Sequence, residues 1–383
     1  MSRVEVNPHL ASRVNGLKDE LISRLQASGA EPGSTVSVFP LPCKSIHQIG
    51  IVEISGKKTL LRCLVKGNVP NYLGAQKLDM EHYVLSQIAP QISALNAKTR
   101  CPRALAFFPR EELLFLELIE GRDLKSILFD LVPSRPDLPQ LLRLTGEWLA
   151  HLHRDTREGE GNPFDWLEDR FDADRIRGTF EKCGARHLYR AVRHLLQTFR
   201  RAHKSFTRPL CQLHGEFTPL HVLVRDDSIY VIDFGSTARG FACEDVALFT
   251  TFYENLQPWR SVAGWIRVPF RKQKSSFLAA YNQYCGQEFN RIDDVVTRFT
   301  QIWAMARHEF FWERQPANLP EQIYLTFGRT WMRNRFVGFA SREIRRLQTL
   351  TSSTLVPVFD RISVVGESGA AVRPRSLPNV ENA

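Results

Sequence analysis

The sequence predicts an α+β protein of two lobes, a small β-rich N-terminal lobe and a larger, mainly helical C-terminal lobe. Runs rich in Val, Ile and Leu dominate its first third, whereas apolar residues follow helical spacing over most of the remainder. At 383 residues with 43% hydrophobic content, the chain can bury a core in each lobe. We divide it into residues 1–118, residues 119–365, and a tail, residues 366–383, whose small and polar composition predicts disorder.

The small lobe is predicted to begin with an amphipathic helix that packs on a sheet. β-branched residues predict three strands, and apolar residues at helical spacing predict a helix after them. These elements are the helix Leu10 to Ala27, the strands Thr35 to Phe39, Gln48 to Ile54 and Thr59 to Lys66, and the helix Lys77 to Ile88. Two further extended segments follow, Cys101 to Ala106 and Leu113 to Gly121.

The large lobe contains a predicted core helix and a predicted hairpin. Leu141 to His153 carries apolar residues at helical spacing. Val222 to Arg225 and Ile229 to Ile232 are β-rich, and Asp226-Asp227-Ser228 is typical of a tight turn between them. The hairpin therefore brings the residues before and after it close together.

Three polar residues flank this hairpin: Glu216 and His221 precede its first strand, and Asp233 follows its second. We expect the three side chains to converge at one mouth. A carboxylate that orients a hydroxyl, beside groups that hold a cation over phosphates, is the arrangement that phosphoryl transfer needs. In the protein-kinase pattern, a catalytic carboxylate and an Asn five residues later precede such a hairpin, and the Asp of Asp-Phe-Gly follows it. By resemblance to that pattern, we assign all three as catalytic candidates, and Asp233 and His221 as candidate metal ligands.

The same segment resembles the aminoglycoside phosphotransferase and choline kinase family, whose loop reads His-Gly-Asp-x-x-x-x-Asn and is followed by Ile-Asp-Phe/Trp-Gly. His214-Gly215, Pro219 and Ile232 to Gly235 match that pattern. The resemblance implies a protein-kinase-like fold and transfer of the γ-phosphoryl group of ATP to a small-molecule hydroxyl, with Mg²⁺, or Mn²⁺ in its place. It also implies that Asp245 and His214 brace the catalytic loop.

Upstream, the resemblance assigns Lys66 and Glu81 as the pair that anchors the nucleotide phosphates. Lys66 ends a predicted strand, and Glu81 lies on the predicted helix that follows it. Lys57, Lys58 and Arg62 are alternative anchors on the same hairpin.

The nucleotide cleft has two further predicted parts. Glu117 to Ile119 occupy the place of the family's interlobe hinge, where backbone groups contact adenine. The loop from Pro40 to Gln48 contains no glycine, although a phosphate-covering loop favours glycine for close backbone approach. Lys44 or Ser45 could contact phosphate there instead. The chain has no Gly-x-x-x-x-Gly-Lys-Ser/Thr loop, which excludes a P-loop enzyme.

A second motif is a false match. His153-Arg154-Asp155 spells the catalytic tripeptide of protein kinases, but Glu160 stands where that pattern requires Asn. No strand pair or Asp-Phe-Gly follows closely, so the motif fails in its context. We assign the tripeptide to the end of the core helix.

Two positions depart from the family pattern: Glu216 replaces Asp, and His221 replaces Asn. Glu is longer by one methylene, and a displacement of roughly one ångström can slow a reaction on the order of 100-fold. Imidazole suits Mn²⁺ or Zn²⁺ better than Mg²⁺, which prefers oxygen; alternatively, His221 only fills the Asn site as a hydrogen-bonding residue. The departures also define an alternative function, a pseudokinase that acts as a nucleotide-binding regulatory or partner-binding module.

The formal charge of +10 bears on the acceptor. Residues 255–350 contain fifteen Lys and Arg against seven Asp and Glu, which favours an anionic or lipid-linked sugar as acceptor, or an anionic membrane surface as partner. The alternative is a solvated basic face over an aromatic core, and no recognised motif supports nucleic-acid binding. The basic residues form two clusters, Arg267, Arg271, Lys272 and Lys274, and Arg329, Arg333, Arg335, Arg342, Arg345 and Arg346. The aromatic residues between and around them are Trp259, Trp265, Phe270, Trp303, Phe310, Phe311, Trp312, Trp331 and Phe336.

Cysteine usage and the N-terminus bear on location. The seven cysteines are odd in number and include no Cys-x-x-Cys pair, which is typical of reduced thiols. The N-terminal stretch has no apolar signal core, and no run of about 18 apolar residues occurs. We therefore expect a cytoplasmic protein, of an oligomeric state that the sequence leaves open.

Overall fold

The computed structural model describes residues 8–41, 47–68, 78–129, 137–255, 270–287, 290–309 and 319–354. Some residues named above lie outside these ranges, or their side chains lie outside the described set. They are Lys44, Ser45, Lys77, Trp259, Trp265, Arg267, Phe270, Arg271, Lys272, Phe310, Phe311, Trp312, Arg329 and Trp331. The predicted tail, residues 366–383, also lies outside the described residues.

The strands fall in groups along the chain, and the last described elements are all helices. The strands are β1 (Thr35–Pro40), β2 (His47–Ser55), β3 (Leu60–Asn68), β4 (Thr99–Arg100), β5 (Ala104–Phe108), β6 (Leu113–Glu117), β7 (Arg122–Asp123), β8 (Glu160–Gly161), β9 (Arg208–Pro209), β10 (Cys211–Leu213), β11 (Val222–Arg225), β12 (Ser228–Val231) and β13 (Ala238–Gly240). The helices are α1 (Pro8–Gly16), α2 (Lys18–Arg24), α3 (Leu78–Tyr83), α4 (Ala89–Leu95), α5 (Leu124–Phe129), α6 (Leu138–Asp155), α7 (Pro163–Asp172), α8 (Asp174–Lys182), α9 (Arg186–Ala202), α10 (Cys243–Asn255), α11 (Phe270–Tyr284), α12 (Arg291–Glu309) and α13 (Leu319–Thr354).

The small lobe is an antiparallel five-stranded sheet in the order β1-β2-β3-β6-β5. Its first three strands confirm the sequence prediction, with ends shifted by one or two residues. The bilobal α+β fold is therefore confirmed, with its sheet on the N-terminal side and its helices on the C-terminal side. The division after residue 118 stays a prediction, since β6 ends at Glu117 and β7 already pairs with β11.

The N-terminal segment forms two helices where the sequence predicted one. α1 ends at Gly16, and α2 begins at Lys18. Glycine is unfavourable inside a helix, which accounts for the break. The predicted apolar face is nevertheless buried against the sheet through Leu10, Val14, Leu21 and Leu25.

The helix predicted after β3 is confirmed from Leu78 onward. It continues from α3 through a π-helical turn, Val84–Ile88, into α4. The buried residues Leu78, Val84 and Leu85 fix its rotation against the core. Glu81 consequently faces the interior between the lobes.

The predicted hairpin is confirmed as β11 and β12, within a sheet of order β4-β12-β11-β7. Arg225 pairs with Ser228, so the turn consists of Asp226 and Asp227 alone, and Ser228 belongs to the strand. Asp226 adopts a φ of 56°, which a two-residue turn between twisted antiparallel strands requires. The three-residue turn predicted from the sequence was therefore one residue too long.

The helix α6 forms the centre of the large lobe. Its buried Trp148 lies 6.0 Å from the ring of Phe217 and 5.8 Å from that of Phe234, centroid to centroid. Gly146 allows α11 to approach closely, because a Cβ there would collide with the Phe277 backbone oxygen. These contacts fix both ends of the predicted catalytic segment to one helix.

The aromatic residues that the sequence offered for acceptor binding are core residues wherever their side chains are described. Trp303 and Phe336 are both buried in the helical core of the large lobe. By contrast, Arg333, Arg342 and Arg345 are exposed. Among the described helices, none is both long enough and apolar enough to cross a membrane.

Candidate active site

The catalytic loop leaves β10 through a turn that requires glycine. Gly215 has a φ of 86°, in the region that residues with a side chain rarely adopt. A Cβ at this position would also collide with the backbone oxygen of Ser236. The His-Gly pair that the sequence singled out therefore meets a steric requirement of the loop.

Asp245 braces this loop from the start of α10. Its carboxylate accepts hydrogen bonds from the backbone N–H groups of His214 (2.7 Å) and Gly215 (2.9 Å). It also contacts Nε2 of His153 at 3.2 Å. Burial would raise the pKa of the Asp245 carboxyl, but its hydrogen bonds and the nearby imidazoles lower that pKa below its ordinary value. The predicted bracing role of Asp245 is confirmed.

His153 is a buried structural residue, as the failed motif context predicted. Its Nδ1 lies 2.9 Å from the hydroxyl of Tyr281 on α11, while its Nε2 faces Asp245. The side chain therefore links α6 and α11 to the catalytic loop.

His214 ties the catalytic loop to the second half of the hairpin. Its Nε2 lies 2.9 Å from the backbone oxygen of Ile232, to which it donates. Burial lowers the pKa of His214 to about 4. The imidazole is therefore neutral at physiological pH and serves the bracing role that the resemblance implied.

The predicted lysine lies between two carboxylates. Lys66 Nζ contacts Glu81 Oε1 and Asp233 Oδ1, each at 2.8 Å. Lys66 is 5% exposed and Glu81 is fully buried. Burial would lower the pKa of Lys66, but the two carboxylates raise it above its ordinary value, so the group stays charged. The predicted pairing of Lys66 with Glu81 is confirmed, and its role toward phosphate stays a prediction.

The three alternative anchors lie elsewhere on the small lobe. Arg62 pairs with Glu53 on the neighbouring strand. The backbone N–H groups of Lys57 and Lys58 bond to Glu31 at the turn between β2 and β3. Lys66 is the candidate anchor that contacts both Glu81 and Asp233, so it stays the predicted anchor.

Asp233 combines a strained backbone with a shifted pKa. Its φ of 69° is uncommon for a residue with a side chain, and such strain clusters at functional sites. Burial would raise the pKa of its carboxyl, but Lys66 and His221 lower it well below its ordinary value. Asp233 is therefore an ionised carboxylate across the physiological range.

His221 lies between the other two predicted catalytic residues. Its Nδ1 lies 2.7 Å from the backbone oxygen of Glu216, so Nδ1 carries a hydrogen and donates a hydrogen bond to that oxygen. Its Nε2 faces Asp233 Oδ2 at 3.5 Å. The structure thus brings His221 and Asp233 together as the sequence predicted, with Glu216 next to them through its backbone.

The side chain of Glu216 has a partner that the sequence analysis missed. Arg307, on α12, donates to Glu216 Oε1 at 3.0 Å and to the backbone oxygen of Gly215 at 3.2 Å. Arg307 had counted only as one of the fifteen basic residues between 255 and 350. No local pattern distinguishes it from the others.

The predicted hinge is partly occupied by contacts within the small lobe. The backbone N–H of Glu117 donates to the Arg103 oxygen at 2.9 Å, and the Glu117 carboxylate pairs with the Arg103 guanidinium at 3.2 Å. Because this N–H group is engaged, it does not contact adenine in this arrangement. The adenine contact predicted at Ile119, which is half-buried, stays a prediction.

Glu244 is a second acidic residue beneath the loop that the sequence analysis did not single out. It is buried, 3.4 Å from Arg170 and 3.8 Å from Arg307. Burial raises the pKa of its carboxyl to about 7, although both guanidinium groups partly offset that rise.

The free energy of unfolding of Glu244→Gln, relative to that of the natural protein, is expected to increase as the pH rises. Between pH 4.5 and about 7 the folded state holds a proton on Glu244 that the unfolded state has lost, so this residue lowers stability as the pH increases. At about 1.4 kcal/mol per pKa unit, the difference between E244Q and the natural protein should change by roughly 3 kcal/mol over that interval. Urea unfolding at pH 4.5 and pH 7.5 measures it.

His214 affects the pH dependence of stability in the opposite direction to Glu244, but its effect cancels in this comparison. Because burial lowers the pKa of His214 to about 4, its neutral form favours the folded state increasingly from about pH 4 to 6.5. Both proteins contain His214, so only Glu244 contributes to the difference. A difference that stays constant with pH would contradict a raised pKa at Glu244.

The fold and the converging residues define a protein of the protein-kinase-like class. The family model of the phosphotransferase enzyme family, APH, matches residues 70–266, about half of the sequence. The chain therefore belongs to that family, which confirms the resemblance of its catalytic loop. No curated protein sequence matches the chain significantly.

Two solved structures support the same fold. A fructosamine-3-kinase homologue from Thermobifida fusca superposes with a TM-score of 0.51 at 16% identity, over 82% of this chain and 95% of that one. The aminoglycoside phosphotransferase APH(4)-Ia also gives a TM-score of 0.51, at 14% identity, over 88% of this chain and 98% of that one. At these identities, the likeness establishes the shared fold.

Proposed function

We propose that the protein transfers the γ-phosphoryl group of ATP to a hydroxyl of a small molecule. The observation that carries this proposal is the pair of 2.8 Å contacts from Lys66 to Glu81 and to Asp233. A phosphotransferase of this fold requires a lysine held by a helix carboxylate and an aspartate beside it that can hold a metal. In this protein the three groups are already in contact.

Each residue then has a defined task. Lys66 contacts the nucleotide phosphates, and backbone groups of the hinge from Glu117 to Ile119, other than the engaged N–H of Glu117, contact the adenine. Glu216 orients the acceptor hydroxyl for in-line attack on the γ-phosphorus, which requires little basicity when the transition state is loose.

Asp233 and His221 are proposed to hold the divalent metal ion. Nδ1 of His221 donates to the backbone oxygen of Glu216, and its Nε2 faces Asp233 Oδ2, 3.5 Å away. In the neutral form of His221 with the proton on Nδ1, the Nε2 lone pair is available to a metal ion. Within the described ranges, no group of three or more His, Cys, Asp or Glu is arranged for metal binding, so phosphate oxygens would supply further ligands. When bound, Mg²⁺ or Mn²⁺ would neutralise phosphate charge during transfer.

The acceptor is proposed to be anionic, such as an acidic sugar or a lipid-linked sugar. The net charge of +10 and the two guanidinium groups near Glu216 support this class. One is Arg307; the other is Arg175, whose pKa is lowered by burial and by the charge of Arg307. A polycationic acceptor would meet repulsion at the same place.

A catalytically inactive nucleotide-binding module is the second candidate. The specific observation in its favour is that the carboxylate of Glu216, which replaces the usual Asp, is already paired with Arg307 at 3.0 Å. Such a module would bind ATP and act through a partner or a regulated conformation. Turnover separates the two candidates.

We further propose a cytoplasmic location, since the described cysteines are free thiols rather than disulfides. The exposed Arg333, Arg342 and Arg345 support reversible contact with an anionic membrane surface as a secondary proposal. Salt-sensitive binding to vesicles that contain an anionic lipid tests that contact.

The proposed function is tested by ATP consumption with Mg²⁺ or Mn²⁺ across amino sugars, anionic sugars, choline and lipid-linked glycans. Turnover that depends on an acceptor and is lost in Asp233→Ala would support phosphotransfer. Asp227→Ala is the matched control, because Asp227 lies in the turn of the same hairpin and is exposed. ATP binding without turnover under all conditions would favour the inactive module.

A further inference from the structure

Arg307 reaches the catalytic loop from α12 and contacts both its side chain and its backbone. One guanidinium nitrogen lies 3.0 Å from Glu216 Oε1, and the other lies 3.2 Å from the Gly215 backbone oxygen. The Arg307 side chain is 19% exposed, so water competes little for these bonds. The two contacts together fix the direction in which Glu216 points.

The guanidinium group is itself held from two other sides. It lies 5.5 Å from the ring centroid of Trp303, and 3.8 Å from Glu244 Oε1. Arg170 contacts the same carboxylate at 3.4 Å and lies 5.8 Å from the same ring. Arg307 is therefore preorganised by its packing on Trp303 and its position beside Glu244 before any ligand binds.

We propose that Arg307 is a positioning residue for the Glu216 carboxylate, and that this protein requires glutamate rather than aspartate at position 216 because only the longer side chain reaches Arg307. The proposal rests on the role assigned to Glu216 in the proposed function. Shortening the side chain by one methylene withdraws the carboxylate by roughly one ångström, which takes a 3.0 Å contact beyond hydrogen-bonding distance.

The pairing also explains how a longer carboxylate could stay productive. A carboxylate has two oxygens; Oε1 receives the bond from Arg307, and Oε2 can accept the proton of the acceptor hydroxyl. Arg307 then restricts the position of the longer Glu216 side chain. In a shorter aspartate, the length of the side chain alone would restrict the carboxylate. The Glu at position 216 and the Arg at position 307 act as a matched pair.

The test compares metal-dependent ATP turnover in Arg307→Gln, Arg307→Lys, Glu216→Asp and Glu216→Gln. We expect Arg307→Gln and Glu216→Asp each to lower kcat on the order of 100-fold, with the KM for ATP within about twofold of the natural protein. Arg307→Lys should recover part of that loss. Adding Arg307→Gln to Glu216→Gln should cause no further loss, because the group that Arg307 positions is already disabled.

Arg298→Gln is the matched control, because Arg298 lies on the same helix with 22% of its side chain exposed but pairs with Glu343 instead of the loop. It is expected to keep its turnover. Full turnover in Arg307→Gln or in Glu216→Asp would overturn the proposal, as would losses that multiply in the double variant.

A second measurement separates failure of this proposal from failure of the proposed function. A double-mutant cycle between positions 216 and 307 on urea unfolding should give a coupling of about twofold to fivefold in the unfolding equilibrium with Glu216, and none with Asp at that position. A natural protein without turnover would overturn the proposed function alone. Absence of coupling with Glu216 would overturn the pairing, whatever the turnover.

Discussion

Replacing Lys66 with Met is expected to destabilise the protein by roughly 3–5 kcal/mol and to abolish ATP turnover. Lys66 is 5% exposed and Glu81 is fully buried, so the change leaves a buried carboxylate without its counter-charge. The same change removes the cation assigned to the phosphates. Urea unfolding measures the first effect, and ATP consumption measures the second.

The two effects can be separated by a second substitution. Combining Lys66→Met with Glu81→Leu removes both buried charges and should recover much of the stability, because a buried ion pair is often replaceable by apolar residues. Turnover should stay absent. Lys98→Met is the control, since Lys98 pairs with Asp227 at the exposed turn and should change stability by less than about 1 kcal/mol. A Lys66→Met protein as stable as the natural one would contradict the buried pair.

The sequence predicted those parts of the site that local geometry determines. Glu216, His221 and Asp233 flank a single hairpin, so the approach of His221 to Asp233 and to the Glu216 backbone followed once the two strands were recognised. Lys66 and Glu81 are 15 residues apart on a strand and the helix that follows it. The hairpin placed the first three residues, whereas the pairing of Lys66 with Glu81 was assigned from the family resemblance, and helical spacing only placed Glu81 on a helix.

Arg307 could not be predicted in the same way. It lies 91 residues from Glu216 and meets it only through the packing of α12 against α10 and the loop. Its sequence neighbourhood resembles that of other basic residues on the same helix, such as Arg298, which pairs with Glu343. Long-range pairing of one charge among 51 Lys and Arg residues has no periodic signal.

The prediction of a single helix in place of α1 and α2 is a different kind of error. The apolar residues Val14, Leu17 and Leu21 keep their helical spacing across Gly16, so the pattern alone favoured one helix. Periodicity reports which residues are buried, whereas the local propensity of Gly16 decided where the helix ends. The buried face was predicted correctly because burial is the property that the pattern encodes.

Replacing His221 with Asn is expected to shift the metal preference from Mn²⁺ towards Mg²⁺ by roughly 10- to 100-fold. The Nε2 atom of His221 faces Asp233 Oδ2 at 3.5 Å, and an imidazole nitrogen suits Mn²⁺ better than Mg²⁺. An Asn side chain would offer an oxygen at the same place, which Mg²⁺ prefers. Calorimetric titration of Mn²⁺ and Mg²⁺ in the presence of ADP measures the preference independently of turnover.

His187→Asn is the control for this exchange, because His187 is exposed on α9, away from the loop. It should leave both metal affinities unchanged. If His221→Asn also left both affinities unchanged, His221 would be a hydrogen-bonding residue that fills the Asn site. Of the two residues, only Asp233 would then bind the metal ion. A shift towards Mg²⁺ would instead mean that the altered loop is tuned to a different metal ion, which argues against loss of function at this position.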